Sequence, residues 1–371
     1  MDKTTQAGAV TTTEIVLPGK VEPEGLQVRT RELGPPQAAQ ALVRVEASGV
    51  SFAEQGMRCG RYPGQPKFPF VPGYDLVGTV VGVGAGVDGA LAGRRVAAIT
   101  ETGEWASHAL LNAADLIPVP DGLDPAEVEA VLVNGVTAWQ MLHRSARVRP
   151  GQTILVHGAN GGVGTILAQL ARHHGVRVIG TASPRHHDTL RGFGVEPVDY
   201  HDPGLMVADI RELAPGGVDA GGVDAAFDNV GGESLRRSWE LLAPKGTLVS
   251  YGMVSVVDGT QSMVVLFVFL LARLVWWNAL PNGYGPTSTT CGIGTWPGAR
   301  GARRSSGSEC TRTSPQCSAC SPTAFLTPQV AARFPLTQAP EAMNLAESRT
   351  VLGKVILEPG ASQNPHRTAA R

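Results

Sequence analysis

The chain has 371 residues, of which 43% are hydrophobic and 17% charged, and its formal net charge is −1. This length suffices for two ordinary domains, and the composition is that of a globular protein. The near-neutral charge gives no electrostatic reason to expect nucleic acid or an anionic membrane as a partner. Because the five cysteines do not form a secreted disulfide framework and residues 1–20 lack the apolar core of a signal peptide, we expect a cytoplasmic protein.

The first part of the chain, residues 1–122, has the pattern of an all-β domain. Short runs such as "ALVRVEASGV" alternate apolar and polar residues between glycines and prolines, which is typical of antiparallel strands. The stretches "FPFVPGYDLVGTVVGVGAGV", "RRVAAI" and "GEWASHALL" continue this pattern. We therefore predict an irregular, barrel-like β domain.

A change of pattern marks a second domain over residues 123–260. Asp124 and Pro125 stand where the N-cap and the first residue of a helix are expected. Beyond them, strand-like segments ("QTILVHG", "VRVIGTAS", "VDAAFDNVGG", "GTLVSYGMVS") alternate with helix-like ones ("VGTILAQLARHHG", "RHHDTLRGFG"). This alternation predicts a doubly wound α/β domain with a parallel sheet. The tandem repeat "GGVDAGGVDA" (216–225) is interpreted as a lengthened surface loop.

The motif that carries chemistry is "ANGGVG", which follows a predicted strand and opens a predicted helix. It is a variant of G-x-G-x-x-G in which Ala159 replaces the first glycine. Glycines let the backbone approach a pyrophosphate and let the helix pack on the strand, while the helix N-terminus supplies N–H groups. In this βαβ context the motif predicts a dinucleotide site made by Asn160, Gly161, Gly162, Val163 and Gly164. A glycine-rich turn without a nucleotide is the alternative.

The residues after the second strand of this domain discriminate between cofactors. An NAD-specific site carries an acid there to hold the ribose 2′-hydroxyl. Here "GTASPRHHD" supplies Ser183 and Arg185, with no acid before Asp188. A hydroxyl and a guanidinium attract the 2′-phosphate that a carboxylate would repel, so we predict NADPH. The alternative is that Arg185 is an ordinary exposed residue at a helix start.

Both domains together resemble the medium-chain dehydrogenase/reductase superfamily. The stretches "GVSFAEQGMRCGRYP", "PFVPGYDLVGTVVGVG", "VNGVTAWQML", "GANGGVGTILAQLA" and "AESRTVLGKVIL" are similar to its zinc-independent quinone oxidoreductase branch. The resemblance implies a GroES-like catalytic domain (1–122, completed by 326–361), a Rossmann NADP-binding domain (123–260) and a homodimer. The reaction it implies is hydride transfer from NADPH to a small-molecule quinone or to the C=C bond of an enone.

The resemblance also allows a test for zinc. The zinc alcohol dehydrogenases of this superfamily have a ligand cysteine where Ser51 stands and a ligand histidine where Tyr74 stands, and their third ligand position, near Asn134, holds no cysteine here. Serine and tyrosine are poor zinc ligands beside thiolate and imidazole. We therefore expect no catalytic metal.

The same resemblance assigns roles to single residues. Tyr62 and Ser51 are expected to donate a hydrogen bond to a substrate oxygen, with a packed loop aromatic as the alternative for Tyr62. His157, inside a core strand, is expected to be structural. The further cofactor candidates are Asn134 and Thr137 at a helix start near the nicotinamide, Tyr200 beside the 2′-phosphate, Asn229 and Gly252 at strand ends, and Lys354.

An apolar run, "MVVLFVFLLARLVWWNAL" (263–280), raises the question of a membrane span. Arg273 inside it favours a buried or interface helix, which we predict over residues 261–281. Two other functions stay open at this stage. One is a catalytically impaired nucleotide-binding paralogue, and the other is a membrane-associated binding protein that uses this run.

Residues 282–325 do not have the composition of a folded dehydrogenase. They contain no Leu, Val or Met and one Ile, which is typical of a disordered linker, as we also expect for 362–371. Cys310, Cys317 and Cys320 include a C-x-x-C pair, but neither a histidine nor a fourth cysteine at zinc spacing accompanies it. Relatives have a last sheet strand and a helix here; their loss would expose a sheet edge and makes the homodimer doubtful.

Our hypothesis for this segment is a shifted reading frame. In a GC-rich gene, "CTRTSPQCSACSPTAF" re-reads as "HADLPAVLGLLADGV", which has apolar residues at helical spacing and an acidic first turn. That string runs directly into "LTPQVAARF". We predict that sequencing the gene shows third bases that encode it in the neighbouring frame; third bases that forbid this reading contradict the hypothesis.

Overall fold

A computed structural model describes residues 8–62, 64–215, 221–252, 290–291 and 325–361. The chain forms two compact units: the first takes its residues from 1–136 and 328–371, the second from 137–327. Their order along the chain matches that of the predicted domains, whose exact bounds stay predictions. The helix expected over 261–281, most of the segment 282–325 with Cys310, Cys317 and Cys320, the tail 362–371 and the first copy of the tandem repeat lie outside the described residues.

The secondary structure alternates as the sequence pattern indicates. The strands are β1 (Val10–Val16), β2 (Gln27–Leu33), β3 (Gln40–Val50), β4 (Asp75–Val83), β5 (Arg95–Ile99), β6 (His108–Asn112), β7 (Ile117–Pro118), β8 (Thr153–Val156), β9 (Arg177–Thr181), β10 (Val195–Val198), β11 (Val223–Asp228), β12 (Leu242–Ser250), β13 (Thr290–Cys291), β14 (Val330–Pro335) and β15 (Lys354–Glu358). The α-helices are α1 (Phe52–Arg58), α2 (Pro125–Trp139), α3 (Gly162–His173), α4 (His187–Gly192), α5 (Pro203–Leu213), α6 (Glu233–Glu240) and α7 (Ala339–Glu347).

The first unit is the predicted β domain. Its main sheet has the order β14-β15-β3-β4-β5-β7, with β6 also paired to β3, and β1 pairs with β2 in a separate antiparallel ladder. Trp105 belongs to a core cluster of this unit and is fully buried, and its indole N–H donates to the carbonyl of Gly49 at 2.9 Å. The return of the chain as β14 and β15 agrees with the GroES-like fold that the sequence predicts.

Helix α1 interrupts the β domain and is absent from the sequence prediction. Ser51 begins it with a capping box: the Ser51 hydroxyl accepts from the Ala53 amide at 3.1 Å, and the Glu54 carboxylate accepts from the Ser51 amide at 2.8 Å. The spacing S-x-x-E is the sequence signal for such a start.

The start of α2, in contrast, confirms the prediction. One carboxylate oxygen of Asp124 accepts from the amides of Ala126 and Glu127 at 3.0 and 3.1 Å, and Pro125 is the first helical residue. These bonds satisfy two of the N–H groups that a helix start leaves without a backbone partner.

The second unit contains the predicted parallel sheet, in the order β10-β9-β8-β11-β12-β13. All four residues of β8 are buried, as expected for a central strand covered on both faces. The sequence analysis expects the last strand of this sheet to be missing. This expectation is wrong for two residues, because Thr290 and Cys291 pair with Val249 and Ser250 of β12. This pairing occupies the edge position of the sheet.

A buried ionic triad joins three elements of the first unit. The Lys354 ammonium of β15 donates to Asp75 of β4 at 2.9 Å and to Glu129 of α2 at 2.6 Å, and all three side chains are at most 4% exposed. A Cβ atom on Gly49 would lie 2.1 Å from the Lys354 side chain, so glycine is required there. Burial alone would lower the pKa of Lys354, but the two carboxyl groups raise it overall.

We predict that Lys354→Met lowers the free energy of unfolding by about 3–5 kcal/mol, because it leaves two buried acids without their cation. Urea unfolding measures this change. Lys67→Met, at an exposed position, is the control and should change the free energy by less than about 0.5 kcal/mol. Equal effects of the two substitutions would contradict the structural role of the triad.

Candidate functional site

The candidate site lies at the carboxyl ends of the strands in the second unit. The chain runs from β8 to β9 on one side and crosses to β11 on the other, so the loops after β8 and β11 diverge at a topological switch point. The two loops approach closely. A Cβ on Gly158, whose φ is +62°, would lie 3.0 Å from the side-chain nitrogen Nδ2 of Asn229. Ligands of open α/β sheets bind at such points.

The predicted dinucleotide motif forms one turn between β8 and α3. Gly161 is the N-cap of α3, and no side chain caps this helix, so its first amides are available to a phosphate. A Cβ on Gly164 would lie 2.4 Å from the Gly158 carbonyl oxygen and 2.8 Å from the Ala159 Cα. The absence of a side chain at Gly164 therefore permits α3 to start directly against the loop, as the motif predicts. Asn160 lies in this turn, and Gly162 and Val163 are the first two residues of α3.

The three residues predicted to hold a 2′-phosphate lie after β9 and β10. The hydroxyl groups of Ser183 and Tyr200 are 3.0 Å apart, Ser183 is buried, and Tyr200 is 43% exposed. Arg185 is exposed in the 3₁₀ turn that follows Ser183. The neighbouring acid, Asp199, bonds to His201, and this hydrogen bond lowers the Asp199 pKa. The structure thus brings the hydroxyls of Ser183 and Tyr200 together, and the contact of these residues and Arg185 with a 2′-phosphate stays a prediction.

Three residues at or just beyond the carboxyl ends of β11 and β12 have unsatisfied polar atoms. The amide oxygen of Asn229, the hydroxyl of Ser250 and the hydroxyl of Tyr251 are buried and have no hydrogen-bond partner among the described residues. Gly252 follows with a φ of +69°. Because buried polar groups are normally paired, such atoms at a switch point fit a polar ligand. Together with the uncapped helix and the glycine cradle, they fit a dinucleotide.

The nicotinamide candidates require a correction. Asn134 and Thr137 lie in the last two turns of α2, not at a helix start, because Asp124 caps this helix ten residues earlier in the chain than Asn134. Asn134 is buried and its amide donates to the Ala130 carbonyl at 2.8 Å, within the helix. Their spacing of three residues puts both on one helix face. Their contact with a cofactor stays a prediction.

The two catalytic candidates lie in the first unit. The Ser51 hydroxyl donates its proton to Glu54, so it is already engaged in capping α1. Tyr62 packs edge-to-face against Tyr74, with ring centroids 6.3 Å apart. Burial raises the pKa of both phenols, so each is a hydrogen-bond donor and not a base at neutral pH. Lys354, predicted as a cofactor residue, is instead bound by two acids in the core of this unit.

The described residues contain neither a metal-binding cluster nor a membrane-spanning helix. Among those residues no group of three or more His, Cys, Asp or Glu side chains is arranged to hold a metal ion. In the same part of the chain, no helix has the length and apolar character to cross a bilayer.

The first unit also buries carboxyl groups that have unpaired oxygens. One oxygen each of Glu54 and Glu104 has no hydrogen-bond partner among the described residues. Burial raises the pKa of Glu54, and it raises the pKa of Glu104 to about 8. Asp75 contributes to both shifts through its charge. Glu104 is therefore favoured as a neutral acid at pH 7 in the folded chain.

Family models match both units. Residues 37–121 match the alcohol dehydrogenase GroES-like domain, and residues 162–276 match a family described as zinc-binding dehydrogenase. The fold and the glycine turn therefore define a dinucleotide-binding dehydrogenase with a GroES-like unit.

Comparisons with individual proteins identify the branch of the family. The rat (Rattus norvegicus) synaptic vesicle membrane protein VAT-1 homolog is 35% identical over 268 residues, which are 71% of this chain and 64% of that protein, so the chain spans less than two thirds of this relative. The rat quinone oxidoreductase is 34% identical over 62% of this chain and 70% of its own length. The structure of the Escherichia coli quinone oxidoreductase complexed with NADPH has a TM-score of 0.77 and 25% identity, covering 94% of this chain and 100% of its own. The chain belongs to the quinone oxidoreductase branch of the medium-chain dehydrogenase/reductase superfamily, as the resemblance predicts.

We predict that Gly164→Ala destabilises the second unit by about 1–3 kcal/mol, because a methyl group there overlaps the Gly158 carbonyl. Thermal unfolding measures the loss. Gly192→Ala is the matched control, since it is also a helical glycine but its Cβ would meet no atom within 4 Å. If both variants unfold at the same temperature, the close packing described above is wrong.

A second prediction concerns Glu104 and pH. Because its pKa is raised from 4.5 to about 8 in the folded chain, its contribution to stability is fully present below pH 4.5 and is lost as the pH rises through 8. Glu104→Gln should remove this part of the pH dependence, which urea unfolding at several pH values from 5 to 9 measures. Glu101→Gln, at an exposed position, should leave it in place. A wild-type pH dependence that Glu104→Gln does not alter would refute the assignment.

Proposed function

We propose that the chain is an NADPH-dependent oxidoreductase that transfers hydride to a quinone or to the C=C bond of an enone without a catalytic zinc. The observation that carries the proposal is the uncapped start of α3 against a turn in which only glycine fits at position 164. The Ser183–Tyr200 hydroxyl pair supports the choice of NADPH. The predicted cofactor agrees with the E. coli relative, whose structure was solved with NADPH.

Each group of residues has a separate task in this proposal. When bound, NADPH supplies the hydride. The first amides of α3 bind the pyrophosphate, and Ser183, Tyr200 and Arg185 hold the 2′-phosphate. Asn229 offers its unpartnered amide oxygen to a hydroxyl or amide of the cofactor. Tyr62, a neutral phenol because burial raises its pKa, donates a hydrogen bond to the substrate oxygen.

The absence of zinc from the reaction is part of the proposal. Ser51 and Tyr74 stand at the two positions that hold ligands in the zinc alcohol dehydrogenases. The Ser51 hydroxyl bonds to Glu54, and the Tyr74 ring packs on Tyr62. Neither residue type competes with thiolate or imidazole for Zn²⁺. Turnover should therefore persist after dialysis against a chelator.

The proposed contact between Arg185 and the 2′-phosphate predicts how a substitution changes cofactor selectivity. Arg185→Ala should raise the KM for NADPH about tenfold or more while the KM for NADH stays within about twofold, because only NADPH carries the charge that Arg185 binds. Steady-state oxidation of both cofactors with a benzoquinone measures this. Arg191→Ala is the control, since Arg191 is an exposed arginine nearby that pairs with Asp188.

Two outcomes of this assay would count against the proposal. Wild-type protein that prefers NADH over NADPH contradicts the cofactor assignment. Protein that binds NADPH but fails to oxidise it when quinones or enones are present contradicts the proposed activity and supports the impaired paralogue. The homodimer and the cytoplasmic location stay predictions, and co-sedimentation with salt-washed membranes would favour the membrane-associated alternative.

A further inference from the structure

A chain of buried polar side chains lies directly beneath the dinucleotide loop. We call Thr181, His157, Ser238 and Asp228 the His157 network. His157 Nδ1 is 3.1 Å from the Thr181 hydroxyl, and His157 Nε2 is 3.0 Å from the Ser238 hydroxyl. The Ser238 hydroxyl donates to Asp228 Oδ2 at 2.7 Å. All four residues are at most 2% exposed, so no water-facing partner competes with these bonds.

The direction of every hydrogen bond in the network follows from proton counting. Asp228 accepts from four donors: the amides of Val230 and Gly231, and the hydroxyls of Ser234 and Ser238. A hydroxyl has one proton, and Ser238 gives its proton to Asp228, so Ser238 must accept from His157. His157 therefore carries its proton on Nε2, and its bare Nδ1 accepts from the Thr181 hydroxyl.

His157 is neutral in this arrangement. Burial lowers its pKa; the facing charges are Asp228 on β11, which acts to raise that pKa, and Arg237 on α6, which acts to lower it. An imidazolium would carry a second N–H at Nδ1, and the Thr181 hydroxyl would then accept from both this N–H and the Gly158 amide, which leaves its own proton without an acceptor in the network. The neutral ring with its proton on Nε2 is the form that satisfies every partner.

The network ends on the backbone of the dinucleotide loop. With its proton donated to His157, the Thr181 hydroxyl has a lone pair for the Gly158 amide, which donates to it at 3.3 Å. The Thr181 carbonyl accepts from the Ala159 amide at 3.0 Å. Both bonds hold the residues against which Gly164 and the start of α3 pack. The orientation of the Thr181 hydroxyl thus depends, through His157, on Ser238.

We propose that Ser238 and His157 are positioning residues for the cofactor: by fixing the Nε2–H tautomer they orient the Thr181 hydroxyl toward His157 and hold the Gly158 turn in the shape that binds the NADPH pyrophosphate. This inference rests on the function proposed above. It assigns a role in binding to a histidine that sequence reasoning treats as structural.

Two serines of α6 provide a matched test. Ser234 and Ser238 both donate to Asp228 Oδ2 at 2.7 Å, but only Ser238 contacts His157. Ser238→Ala should weaken NADPH binding about fivefold or more, because it leaves the His157 N–H without its acceptor, and kcat should stay within about twofold. Ser234→Ala should leave the affinity within about twofold. Fluorescence titration with NADPH measures both affinities, and equal effects of the two variants overturn the proposal.

A second pair of variants separates positioning from folding. Thr181→Val removes the hydroxyl at nearly constant shape and should weaken NADPH binding by a similar factor. Thr181→Ser restores the hydroxyl and should restore the affinity. If Thr181→Ser binds as weakly as Thr181→Val, the hydroxyl is not the group that matters and the proposal is overturned.

Measurements without a ligand distinguish failure of this inference from failure of the proposed function. Nitrogen NMR of the imidazole should show the proton of His157 on Nε2, and exchange of the Gly158 amide should be faster in Ser238→Ala than in Ser234→Ala. Protonated Nδ1 in neutral protein, or equal exchange rates, overturn the network. Wild-type protein that shows the expected tautomer but binds no NADPH instead contradicts the proposed function.

Discussion

No side chain can be placed between the start of α3 and the turn that follows β8. The Gly158 carbonyl and the Ala159 Cα occupy the space that a Cβ of Gly164 would need. Because the helix begins so close to the strand, its unpaired amides face the switch point of the sheet. The side chain of Asn229 lies against this turn, and the His157 network ends on its backbone.

The stability of the first unit depends on a different constraint, the burial of charged side chains. One lysine, Lys354, serves two acids from distant parts of the chain, and Glu54 and Glu104 are buried nearby with raised pKa values. A buried ion pair is weak evidence for net stability, but its loss is costly because the remaining charges cannot reach water. We expect this unit to be more sensitive to single polar substitutions than to changes on its exposed strands.

Local signals explain most of what the sequence predicts correctly. The cap at Asp124, the glycine turn and the alternation of strands and helices each depend on neighbouring residues, and each is confirmed. The prediction omits α1, α5, α6 and α7, although Ser51-x-x-Glu54 and Asp202-Pro203 carry start signals of the same kind for α1 and α5. The environment of Lys354 could not be predicted, because its partner Glu129 is 225 residues away in the chain. Orientations such as that of the His157 ring depend on contacts among three strands and a helix, which no spacing in the sequence reveals.

The central claim is that the turn after β8 and the hydroxyls after β9 and β10 form one site that recognises a 2′-phosphate. The binding of two fragments that differ only in this group, 2′,5′-ADP and 5′-AMP, tests this claim without requiring turnover. Calorimetric titration should show that 2′,5′-ADP binds the wild-type chain about tenfold or more tightly than 5′-AMP, as expected for one charge-assisted contact. Equal affinities for the two fragments would contradict the account.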